Sequence, residues 1–238
     1  MPPPSTESQL AWRSLWDEVR AQARLLGGFV GLLWAIHIVN AVVFGGSLVG
    51  LGIHPRSLSG LLGIFFAPFL HGNFAHLSAN TVPLFVLGAL VMTRRRVDLL
   101  IVSVIAGLVG GLGTWLIAPA ASVHIGASIL IFGYLGFLLL RGVFERKTWS
   151  ILGSVLVFLM YGGALWGVLP GQIGISWQGH LFGLLGGVLA ARLMHGRRDA
   201  PAPPAGKARI AAPRTRFEQE KAPEDEVEEE LERLRRRR

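Results

Sequence analysis

The 238-residue chain contains no cysteine, which removes disulfides, thiolate metal sites and a cysteine nucleophile together. Charge is scarce as well: Asp, Glu, Lys and Arg make up 16% of the residues against 51% hydrophobic. Carboxylates are missing where chemistry inside a bilayer would need them. No Asp or Glu lies between Arg24 and Asp98, and all 15 acids fall in the N-terminal segment, at Asp98, at Glu145, or from Asp199 onward. A Ser-His-Asp triad, an aspartyl intramembrane protease and a zinc site of the His-Glu-x-x-His type are therefore excluded. No metal and no cofactor is expected.

What is present is apolar length. The stretch Gly27 to Val49 exceeds the ~20 residues that cross a ~30 Å hydrocarbon core, and it is too long for a signal-peptide core. Six spans are expected at 27–49, 74–92, 98–117, 124–140, 149–168 and 177–195, giving an all-α membrane protein. With the N-terminus inside, 22 of the 23 Lys and Arg are cytoplasmic and Arg56 alone lies outside, so both termini are placed in the cytoplasm. The net charge of +8 flanks apolar segments, where anionic lipid and topology account for it, and no nucleic-acid partner is expected.

Around this core, residues 1–26 are expected to form a cytoplasmic amphipathic helix, or equally a solvated helix leading into the first span, with Leu10, Leu15, Trp16 and Val19 at near-helical spacing. Residues 50–72 carry Gly52, Pro55, Gly60, Gly63 and Pro68, too many interruptions to span, yet Leu61 to Phe66 is strongly apolar. That outer loop should lie partly in the membrane and pack on the bundle. Residues 196–238 are a charged cytoplasmic tail, expected to be mostly disordered.

Basic residues at the inner helix ends serve as rulers. Ser128 precedes Arg141 by 13 residues, His180 precedes Arg192 by 12, and Asn80 precedes Arg94 by 14. All three therefore stand roughly 18 to 21 Å above the inner surface at 1.5 Å per residue. His76 lies about one turn higher, and His71 nearer the mouth. Ser128 can attack a carbonyl only if a base takes its proton, and His180 is the available base at that depth. Asn80, His76 and the Ser128 backbone N–H are candidate oxyanion donors. Gly126 would allow close backbone approach, Phe132 could support the imidazole one turn below Ser128, and Gly179, Gly183 and Gly187 form a small-residue stripe that would close the sixth span on the fourth.

Each feature has a plainer reading. A membrane serine often bonds to its own helix, and glycine stripes serve packing in many bundles. His37 and His124 read as packing or loop residues, His54 and His195 as interfacial. A proton-coupled transporter is disfavoured because no acidic relay accompanies the histidines and no inverted repeat is visible.

Together these residues resemble the rhomboid family of intramembrane serine proteases over residues 27–195. That family carries a His, a second His five residues on and an Asn four further, matching His71, His76 and Asn80. Its Gly-x-Ser-Gly nucleophile motif matches Gly126-Ala127-Ser128-Ile129, and its base at the start of the sixth span matches His180, followed by Gly183. The resemblance implies a six-helix rhomboid-like bundle with an outward-opening active site in a bacterial cell membrane. It also implies a Ser-His dyad acting on transmembrane protein substrates near the outer face, with His71, Gly126, Phe132 and Gly183 in support. The departures are Ile129 in place of a glycine, Phe132 where many members have Tyr, and no Trp-Arg pair in the first outer loop. Ile129 motivates an alternative, a catalytically inactive rhomboid-like protein that binds transmembrane helices.

Overall fold

The computed structural model describes residues 6–195 and 232–236. Seven α-helices follow in order: α1 (Thr6–Val42), α2 (Leu58–Phe66), α3 (Phe74–Val91), α4 (Val97–Ile117), α5 (Ser128–Glu145), α6 (Thr148–Tyr161) and α7 (Trp177–Met194). Short 3-10 segments occupy Ser47–Leu51, Ala67–Phe69 and Gly162–Val168. Among the described residues there is no strand, only an isolated antiparallel bridge between Ile53 and His124. In the tail, residues 232–236 form a helical turn, and residues 196–231, where most of the expected tail falls, lie outside the described ones.

Among the described residues, five helical stretches are long and apolar enough to cross a membrane: Trp12–Val42, Phe74–Val91, Val97–Ile117, Ser128–Glu145 and Thr148–Val168. The chain is a multi-pass membrane protein. Helix α7 has the expected bounds and the same 18 residues as α3 and α5, but Gln178, His180 and Arg192 dilute its apolar content.

Several boundaries differ from expectation for local reasons. Helix α1 runs through residue 26 without a break, so the expected amphipathic segment and the first span are one helix. Its end comes at Val42 rather than 49, because Gly45 and Gly46 adopt positive φ and buried Asn40 caps the turn, its Oδ1 accepting from the Leu48 N–H at 3.0 Å. The fourth span begins at Ser128, not 124. Residues ahead of it are held extended by the Ile53 to His124 bridge, and the Gly126 N–H donates to the Ala67 carbonyl at 2.8 Å.

Glycine sets the spacing of α4, α5 and α7. A Cβ on Gly187 would sit 1.8 Å from the Gly133 carbonyl oxygen, and one on Gly183 would sit 2.4 Å from the Ile129 carbonyl oxygen. No side chain fits there, so α7 lies directly on the α5 backbone as the glycine stripe predicts. A Cβ on Gly110 of α4 would sit 3.2 Å from the Gly183 Cα, so α4 also lies close against α7 there. The loop preceding α3 packs on the bundle too: Arg56 donates to the Ala118 carbonyl at 2.8 Å, and Trp115 Nε1 to the Ser57 carbonyl at 2.8 Å.

Candidate active site

The first turns of α3, α5 and α7 surround one cavity of about 640 Å³. Ser128, His180, His76 and Asn80 all line it, together with Phe132. Residues expected at or near one level of the bundle thus line one cavity. Ser128 is the first residue of α5, where backbone N–H groups have no acceptor within the helix and can serve a developing oxyanion.

The His180 ring is held on two sides. It stacks on Phe132 with ring centroids 4.0 Å apart and an interplanar angle of 12°. Its Nδ1 lies 3.0 Å from the Gly167 carbonyl oxygen, which can only accept, so Nδ1 carries the proton and Nε2 keeps its lone pair. A backbone carbonyl from the Gly162–Val168 turn therefore fixes the tautomer. Ser128 Oγ and His180 form no hydrogen bond in this structure; nucleophile and base contacts are often loose until substrate is bound.

The opposite wall is assembled by His71. Its Nε2 accepts from the Asn80 side-chain amide at 3.1 Å and, more weakly, from the Ala127 N–H at 3.4 Å. One imidazole thereby orients Asn80 toward the cavity and ties Ala127, the residue before Ser128, to the chain entering α3. Burial, with His76 and His37 nearby, depresses the His71 pKa to about 4, keeping this acceptor neutral at pH 7. Asn73 caps α3 by accepting from the His76 N–H at 2.8 Å. Gly126 has φ of 117°, and a Cβ there would come within 2.8 Å of His76 Nε2, so the glycine is needed for both conformation and space.

His124, expected as a packing or loop residue, sits in the loop before α5, lines the cavity and links its walls. Ser122 Oγ donates to the Pro119 carbonyl, so it accepts from His124 Nε2 at 2.8 Å, and His124 Nδ1 accepts from the Ser176 hydroxyl at 2.6 Å. Ser176 is the N-cap of α7, accepting from the Gly179 N–H at 3.3 Å. The segment leading into Ser128 and the helix carrying His180 thus share one hydrogen-bonded chain. A histidine four residues before Ser128 was the available signal, but its partner lies 52 residues away.

Ile129 does not crowd Ser128. Its side chain points away from the cavity into a small core with Ile53, Ile64 and Ala67, and it occupies space left by Gly110 and Gly179. His37 packs edge-on against Phe74 at 4.5 Å, as a packing residue should. Among the described residues no cluster of His, Asp and Glu could hold a metal.

Residues 59–197 match the family model of the rhomboid domain. The chain belongs to the rhomboid family. An uncharacterized protein of Mycobacterium tuberculosis is 46% identical over 174 residues, covering 70% of this chain and 72% of that one. One from Mycobacterium leprae is 40% identical over 201 residues, covering 79% of each. A Bacillus subtilis protein named "Putative rhomboid protease YdcA" is 33% identical over 127 residues, 52% of this chain and 62% of that one. The rhomboid match begins within α2 and ends past α7, so it contains every cavity residue discussed above. Rhomboid membership supports intramembrane proteolysis in general, and the relatives are bacterial.

Proposed function

We propose that this protein is an intramembrane serine endopeptidase working through a Ser128-His180 dyad. The observation that carries the reading is the His180 tautomer, fixed by Gly167 with Nε2 unprotonated in the cavity that Ser128 shares. In the proposed reaction His180 Nε2 takes the Ser128 hydroxyl proton as Oγ bonds to the scissile carbonyl carbon. Asn80, His76 and the Ser128 N–H stabilise the tetrahedral oxyanion. The imidazolium then gives its proton to the leaving amine as the C–N bond breaks, leaving an acyl-enzyme. Water, deprotonated by His180, adds to the ester carbonyl, and Ser128 leaves with the proton returned to it.

The proposal includes six crossings, with α7 as the sixth, and both termini in the cytoplasm of a bacterial cell membrane. The charge partition supports this, and it puts the cavity in the outer half of the bilayer. Helix α7 tolerates His180 because Phe132 of α5 and the Gly162–Val168 turn cover its ring. Transmembrane protein segments are then the substrates. A carbonyl reaches Ser128 once a segment unwinds near the outer face, since a helical carbonyl is already hydrogen-bonded.

The test is a fluorophosphonate probe on the detergent-purified protein, with the adduct mapped by mass spectrometry. Labelling at Ser128 in wild type, and none in His180→Ala or Ser128→Ala, is the expected result. A folded preparation that stays unlabelled, with capture of transmembrane helices unaffected by Ser128→Ala, would favour the inactive helix-binding alternative. The missing Ser128 to His180 hydrogen bond is what keeps that second reading in play.

A further inference from the structure

At the far end of α5 from Ser128, a second cavity of about 430 Å³ opens between α3, α5 and α6. Leu90, Leu138 and Val157 line its apolar part, while Arg94, Arg141 and Lys147 line its basic part. The carboxylate in contact with these cations is Glu145, 2.7 Å from Arg94 and 3.0 Å from Arg141, with the Ser150 hydroxyl donating to it at 2.5 Å. One carboxylate against three cations leaves an excess of two positive charges, and Lys147 has no acidic partner among the described residues. The neighbouring basic cluster differs: Arg95 is paired with Asp98 at 2.8 Å and Arg96 with Glu18 at 2.6 Å.

The surroundings decide what such a pocket can hold. Only 6% of the apolar stretch Thr148–Val168 is buried, and Trp149 is 85% exposed beside the basic residues. The α6 wall therefore faces lipid, with an aromatic ring at the level where chain and headgroup meet. An occupant must carry negative charge at one end and hydrocarbon at the other. We propose that this pocket binds the phosphate of an anionic phospholipid through Arg94, Arg141 and Lys147, with an acyl chain laid against Leu90, Leu138 and Val157. It would occupy the inner end of the crevice between α3 and α6. Leu87 and Leu135, one turn along the same helices, line the outer cavity, so the bound lipid would set the spacing of the helices that flank the site. The proposal depends on the chain being membrane-embedded and not on the dyad, so it can fail or stand separately from the proposed reaction.

The experiment is native mass spectrometry of the full chain in detergent, titrated with phosphatidylglycerol or with phosphatidylcholine of the same acyl chains. Wild type should bind phosphatidylglycerol at least about fivefold more tightly, since each Lys or Arg near anionic lipid contributes ~1 kcal/mol. Lys147→Gln, at an exposed position that should not affect folding, should lose about fivefold for phosphatidylglycerol and nothing for phosphatidylcholine. Arg94→Gln should add to that loss. Arg20→Gln, on a cation paired with Asp17 outside the pocket, should change neither. Equal binding of the two lipids would overturn the site, as would equal losses from Lys147→Gln and Arg20→Gln, which would mean diffuse attraction. Displacement of phosphatidylglycerol by inorganic phosphate would show that a bare phosphate suffices and would overturn the acyl-chain contact.

Discussion

Because His180 donates Nδ1–H to Gly167 and stacks on Phe132, its ring can neither flip nor tilt without losing a contact. Phe132→Leu removes the stack but keeps an apolar side chain. A stacked pair contributes ~1 kcal/mol beyond area burial, so fluorophosphonate labelling of Ser128 should slow about fivefold and the melting temperature should fall by roughly 2–4 °C. Gly126→Ala is more severe. The new Cβ meets the His76 ring on a backbone at φ 117°, a conformation that costs on the order of 1–3 kcal/mol for an alanine. A displaced oxyanion donor should lower the labelling rate by about a hundredfold, and labelling at the wild-type rate would show that His76 is not needed. The catalytic candidates were legible from the sequence because hydroxyl, imidazole and amide are rare at that depth. The Gly167 carbonyl was not, since every residue carries one and only the fold selects which one meets Nδ1.

At the scale of elements, Ile129 shows how helix packing redirects a sequence departure. Sequence alone puts its bulk beside Ser128, but the 100° step of a helix turns it toward Gly110 and Gly179, 4% exposed. Ile129→Gly therefore opens a void between α4, α5 and α7 rather than access to the nucleophile. The cost should be ~3 kcal/mol or more, from a lost core side chain plus a helical glycine. Thermal unfolding in detergent should register it as a lower melting temperature without faster Ser128 labelling; faster labelling at unchanged stability would return Ile129 to the cavity wall. The same limit explains the helix ends. Hydropathy carries the first span to 49 because Val43 to Val49 is apolar, while the αL glycines that stop α1 at Val42 have no hydropathic signature. The start of α5 at Ser128 depends on pairing with Ile53, 71 residues from His124, which no local window contains.

For the whole molecule, the histidines in the segments that enter the helices couple the cavity end of the fold to pH. Burial depresses both His71 and His124 below the ordinary histidine value, His71 to about 4. Both are acceptors in the bonds described: His71 toward Asn80 and Ala127, His124 toward Ser176. A protonated ring would present N–H where each partner already presents a donor. A histidine with a lowered folded pKa binds more protons when unfolded, so stability is complete above about pH 6.5 and declines as pH falls toward about 4. The unpaired charge also strikes the N-cap of α7 and the approach to α5, the two supports of the proposed dyad. The melting temperature in detergent should therefore drop by roughly 4–8 °C between pH 7.5 and 5, equivalent to about 2 kcal/mol for a protein of this size. Carboxylates ionise mostly below that interval, so the decline belongs to histidine. His124→Asn should be less stable than wild type at pH 7.5 and should flatten part of the slope, because the titrating group is gone. A wild-type melting temperature constant across the interval would mean that neither ring is held neutral by the fold.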